Sequence, residues 1–204
     1  MEFNIVAYTY LFLRLAPFIL ICFFTLSSIF NQDFKGLIYL LGILFSVVLS
    51  IGVNPFVQSL FGTFGLQKSE PQNVCSSITI GKMDALSGIP LGQVVIVFTM
   101  TYLIYSMMEY NIVPQNWPTI VFFVLLSVFN IYWNINYNCH HWIELTAACV
   151  VGLFGFIWGE IINNGFKSKR LLYFTGIEQS NHCSRPTKQT FKCKVYKNGS
   201  LISG

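Results

Sequence analysis

Five apolar runs, each long enough to cross a bilayer, decide most of what this chain can become. A spanning helix needs about 20 mostly apolar residues. The sequence supplies such runs near Tyr8–Phe30, Leu37–Phe61, Gly92–Met108, Trp117–Trp133 and Ile143–Ile162. Only 10% of the 204 residues are charged, against 54% hydrophobic. A soluble domain carries roughly 25% charged residues, so there are too few charges here to clothe a water-exposed surface. The expected fold class is all-α: a polytopic transmembrane helical bundle of about five spans over residues 1–165. Residues 166–204 follow as a short C-terminal extension. The first run is too long for a signal-peptide core, has no basic leader and offers no A-x-A cleavage site, so it is expected to be retained.

The connections set the path. NQDFKG between the first two runs is short enough to force an antiparallel hairpin. Asn54-Pro55 inside the second run predicts a bend or an early end near Val53. Pro114 and Pro118 punctuate the turn between runs three and four, and Trp117 sits there at interface height. Trp133, Tyr137 and Trp142 flank the NINYNCHH turn as an aromatic belt would. The one long polar insertion, near Gly62–Pro90, carries Lys68, Glu70, Lys82 and Asp84.

Charge is unevenly spread. Eight of the 12 Lys and Arg lie after Phe166, where the only acid is Glu178. Cationic flanks are retained in the cytoplasm, so the tail is expected there, facing anionic lipid or an acidic protein partner. The insertion and the NYNCHH turn then share the opposite face. In the tail, TFKCKVYKNGSLI alternates and presents Asn198-Gly199, a hairpin signal. Asn198-Gly199-Ser200 also matches a glycosylation sequon, which a cytoplasmic tail would leave unmodified.

The six cysteines show no CxxC pair, so neither a zinc site nor a disulfide framework is indicated. Cys75 and Cys139 have one route to a bridge, if both loops face a lumen. His182, Cys183 and Cys193 offer three metal ligands and no fourth. No metal, cofactor or nucleic acid is expected. Arg14 inside the first span is costly unless it faces the bundle or snorkels. Glu109 and Glu160 lie near helix ends. Gly152, Gly155 and Gly159 recur about one turn apart and favour close helix packing within one chain.

Two stretches on one face open helices: SGIPLGQ (87–93) before span three and CHHWIEL (139–145) before span five. Helix N-termini favour anions, so the pair forms a plausible seat for phosphate at the bilayer surface. With GLQKSEPQ (65–72) upstream, and WNINYNCH (133–140), this order of blocks resembles the type 2 phosphatidic acid phosphatase (PAP2) superfamily, especially its dolichyl-diphosphatase-like branch. The likeness covers roughly residues 50–160. It implies that His140 stands at the nucleophile position, with His141 beside it leaving the register open by one. Glu144, one turn on, would orient the His140 ring or cap the helix. Gln93 stands where the family's acid His would be, and an amide cannot serve as a general acid.

The family's phosphate-holding cations are replaced by Thr63, Glu70 and Asn134. Lys68, Lys82, Asn134 and His141 remain as phosphate-binding candidates. Losing each cation costs on the order of 3 kcal/mol, by analogy with removing one oxyanion donor. The expectation is therefore a PAP2-like architecture without efficient catalysis, serving a structural, scaffolding or lipid-binding role in an internal membrane such as the endoplasmic reticulum. The rival is an active lipid phosphate or polyprenyl diphosphate phosphatase. A transporter would need a continuous polar pathway, and the spans hold few ionisable residues.

Overall fold

The computed structural model describes residues 5–64, 75, 88–165, 171–172, 195–197 and 200–202. Lys68, Glu70, Lys82, Asp84, His182, Cys183 and Cys193 lie outside the described residues. Two compact units are present, Met1–Phe174 and Thr175–Gly204.

The first unit is helical: α1 (Ile5–Asn31), α2 (Lys35–Phe64), α3 (Leu91–Glu109), a 3-10 turn (Val113–Gln115), α4 (Trp117–Asn136), α5 (Trp142–Gly152) and α6 (Phe154–Gly165). Among the described residues, five helices, counting Trp142–Gly165 as one, are long and apolar enough to cross a membrane, consistent with an integral membrane protein. Three of the tight helix ends use a non-glycine residue at positive φ: Gln32 after α1, Asn111 after α3 and Asn138 after α4. Asn visits this left-handed region more readily than most residues, so the last two helices stop where an Asn can turn the chain.

α3 is the axis of the bundle. Its most apolar stretch is 67% buried, against 22–39% for the other four spans. All the other described helices of the first unit pack on it. Gly155 of α6 lies directly against the Phe98 carbonyl, and a Cβ at Gly159 would come within 2.6 Å of the Tyr105 ring. The small-residue stripe is thus a seam within one chain, with α6 pressed on α3.

That seam also accounts for a feature absent from the sequence reading, a break at Leu153 between α5 and α6. The Phe156 N–H turns to the Leu153 carbonyl (3.0 Å), and the Gly152 carbonyl accepts instead from the Thr101 hydroxyl of α3 (3.0 Å). A side chain from the neighbouring helix takes the place of a backbone donor.

Of the two alternatives expected near Val53, the early end is corrected, while a bend is compatible with a continuous helix. α2 runs as one helix through Pro55 to Phe64. Proline in a helix interior removes one N–H and crowds the carbonyl four residues back, a cost of about 3 kcal/mol. Packing offsets it: Val57 is buried against Ile89, Val94 and Ile143, with Leu60 and Phe61 beside it. The preceding Asn54 also accepts the Gly88 N–H on its Oδ1 at 3.2 Å. Glycine at 88 suits this approach, since a Cβ there would sit 2.7 Å from that oxygen and the Asn54 side chain would have to shift.

Cys75 and Cys139 form a disulfide that ties the insertion between α2 and α3 to the turn after α4. In the second unit, β1 (Val195–Lys197) pairs antiparallel with β2 (Ser200–Ile202), Tyr196 opposite Leu201.

Candidate functional site

The start of α3 is built by Pro90, whose fixed φ of −67° prepares the first turn and whose carbonyl accepts from the Gln93 and Val94 N–H groups. Gln93 thereby points into the bundle, where it is fully buried. Its Nε2 donates to Ser127 Oγ at 2.7 Å and lies 3.6 Å from Cys149 Sγ. Its Oε1 accepts from Asn130 Nδ2 at 2.7 Å. Asn134 Nδ2 in turn reaches the Asn130 carbonyl (2.7 Å) and Oδ1 (3.3 Å). Gln93 of α3 and Asn130 and Asn134 of α4 form one line of amides, Asn134 donating to Asn130 and Asn130 to Gln93.

Asn130 and Ser127 were missed in the sequence, yet the signal was there. Ser127, Asn130 and Asn134 sit at spacings of three and four on α4, which puts three polar groups on one face of an otherwise apolar helix.

The start of α5 is built differently. His141 is its N-cap: its Nδ1 accepts from the Ile143 N–H (3.4 Å), and the Glu144 carboxylate reaches back to the His141 N–H (3.2 Å). This is a reciprocal capping box with a His in the place usual for Ser or Thr. The same Glu144 oxygen lies 3.0 Å from His140 Nδ1. Glu144 therefore fills both roles the sequence left open, capping the helix and holding the His140 ring. Its carboxylate is nearly buried, at 4% exposure, while the His140 side chain keeps 17%. With Nδ1–H held by a carboxylate, the imidazole lone pair resides on Nε2, which is the chemical form a His nucleophile or base requires. His141 instead lies edge-on to Phe61, ring centroids 5.0 Å apart.

The two starts stay chemically separate. No hydrogen bond joins Gln93 to His140 among the described residues; the Gln93 amide is bound to Ser127, Asn130 and Cys149, and His140 to Glu144. A cavity of about 280 Å³ opens beside the amide line, between α1, α2, α3 and α4. Arg14, Gln93, Asn130 and Asn134 supply its polar wall, and residues such as Pro17 and Val47 its apolar one. His140, His141 and Glu144 are not among its lining residues. Lys68 and Lys82 fall outside the described residues, and no group of three or more potential metal-binding side chains occurs among those described.

No family model, curated protein or solved structure matches this chain.

Proposed function

We propose that this chain is a membrane-embedded, PAP2-like protein whose hydrolytic chemistry has been lost, and that it serves a structural or lipid-binding role. The observation that carries this reading is the fate of Gln93. At the position of the family's proton donor stands an amide, fully buried and hydrogen-bonded to Ser127 and Asn130. It has no proton to give at any useful pH, and its hydrogen-bonding capacity is directed into the bundle. Asn134, in the place of a family Arg, is likewise engaged with Asn130. Without a guanidinium clamp, charge developing on a phosphoryl group goes unbalanced.

The cysteine bridge and the tail together favour one orientation. Disulfides persist in oxidising compartments, so the face bearing Cys75–Cys139 is assigned to the lumen. With five spans, the basic tail then falls in the cytoplasm, where cationic segments are retained and meet anionic lipid or an acidic protein partner. An internal membrane such as the endoplasmic reticulum fits both.

One observation favours the rival reading of an active lipid phosphate or polyprenyl diphosphate phosphatase: the His140–Glu144 pair, which leaves Nε2 available. The deciding experiment is a phosphate-release assay on purified protein with phosphatidate and a polyprenyl diphosphate. The expected outcome is no turnover above that of His140→Ala. Robust release that disappears in His140→Ala would establish the rival.

A further inference from the structure

We infer that the cavity between α1, α2, α3 and α4 binds a sterol-type membrane alcohol, its hydroxyl donated to Asn134 and its rigid apolar body held against α1 and α2. The inference rests on the lipid-binding reading above and names the lipid and its seat.

The polar wall selects an uncharged occupant. No carboxylate is among the described lining residues, and Arg14 already has a partner of its own. The groups left to meet a ligand are the amides of Gln93, Asn130 and Asn134. A phosphate headgroup would bring its charge to neutral groups, and burying a charge without a counter-charge is costly.

The direction of the amide line then selects a donor. Asn134 turns its Nδ2 to the Asn130 carbonyl at 2.7 Å and to the Asn130 Oδ1 at 3.3 Å. Its own Oδ1 makes no hydrogen bond among the described residues. Nitrogen and oxygen are not interchangeable here, because the atom facing a backbone carbonyl has to be the donor. An oxygen left in that position accepts from a hydroxyl, whereas an ester or a ketone, acceptors themselves, gain nothing from it.

Depth selects the body. Gly92 and Gln93 lie in the first turn of α3 and Asn134 in the last turn of α4, so the polar wall stands at the end of the spans. The apolar lining runs along α1 from Leu13 to Ile21, about 12 Å at 1.5 Å per residue, with Ile43 and Val47 from α2 beside it. A ligand polar at the surface and apolar below is already the arrangement of an alcohol in a bilayer. At about 280 Å³ the cavity lies just under the roughly 300–1,000 Å³ of drug-sized ligand sites, so the hydroxyl and adjoining rings enter while the tail stays in lipid. A rigid ring body loses little freedom on binding; the chains of a diacylglycerol lose more, and its ester carbonyls would meet an amide oxygen.

The test is photolabelling of the full-length chain in phosphatidylcholine nanodiscs with a diazirine-bearing sterol, the labelled residues mapped by peptide mass spectrometry. Label is expected on the α1 and α2 lining residues. Unlabelled cholesterol should compete about fivefold better than its ketone analogue, the equivalent of one hydrogen bond of about 1 kcal/mol. Asn134→Leu should bring the two competitors level. It leaves the Gln93 bonds to Ser127 and Asn130 in place, so it is expected to fold. Val47→Trp, at a half-buried position on the apolar wall, should reduce labelling of the α1 lining residues.

Label spread evenly over the lipid-facing helices overturns the inference, as does a ketone that competes as well as the alcohol in the wild-type chain. So does an advantage of the alcohol that survives Asn134→Leu, unchanged labelling in Val47→Trp, or a diacylglycerol that displaces the probe ahead of cholesterol. Failure of the underlying reading looks different: it appears as His140-dependent phosphate release, which no sterol reports.

Discussion

Two helix starts sit at the same end of this bundle, and they treat polar side chains in opposite ways. At α3 the polar groups are neutral amides, buried and bonded to one another: Gln93 to Ser127 and Asn130, and Asn130 to Asn134. At α5 they are ionisable: the nearly buried Glu144 holds the partly exposed His140 by Nδ1, and Nε2 takes no part in that bond. The first arrangement serves packing, because its bonds run between its own members across α3 and α4. The second has something left to offer a ligand. Polar residues in a membrane helix therefore divide by unused hydrogen-bonding capacity rather than by position, and on that test Gln93 is part of the frame and His140 is the chemically available group.

The comparison can be broken by substitution, and the largest effect is expected inside the amide line. Asn130→Leu deprives Gln93 Oε1 of its donor and Asn134 of its side-chain acceptor. The loss should be about 1–3 kcal/mol, as for buried polar groups left unsatisfied, read as a lowered Tm in detergent. A Tm equal to wild type would mean the amides do not hold the bundle.

A smaller loss is expected at α5. Glu144→Ala removes one half of the capping box, at a cost of about 1 kcal/mol. Glu144→Gln should recover part of it, because an amide oxygen still accepts the His141 N–H. Amide hydrogen exchange at His141 and Ile143 measures this directly, and unchanged protection in Glu144→Ala would remove the capping role.

The smallest effect sharpens the contrast. His140→Ala should change stability by less than about 0.5 kcal/mol, since Glu144 keeps its bond to the His141 N–H. A Tm loss as large as that of Asn130→Leu would make His140 a structural residue after all.

Much of the fold was legible in the sequence because hydropathy is a local property. All five runs became helices close to their expected ends, and Pro114 and Pro118 mark the turn between α3 and α4 as read. What depended on a neighbouring element was not legible. Pro55 announces a helix end, and only the packing of Val57 against Ile89 and Ile143 shows why α2 continues. The break at Leu153 rests on a hydroxyl from Thr101, 51 residues away. The Cys75–Cys139 pairing likewise had no signature beyond two loops assigned to one face. At the site, the contrast between His140 and His141 came from geometry: adjacent, chemically identical side chains, of which one caps a helix through its ring and the other is turned toward the same carboxylate. The cavity escaped notice because it draws Arg14 from α1 and Asn130 from α4, residues that share no motif.

The disulfide has a consequence for how the molecule holds together. By closing Cys75 onto Cys139 it makes α3 and α4 a single covalent ring, with α1 and α2 leaving from one side of the clasp and α5 and α6 from the other. A protease that cuts the polar insertion after Cys75 would open that ring without freeing either arm, so the two halves would still travel as one molecule until the clasp is reduced.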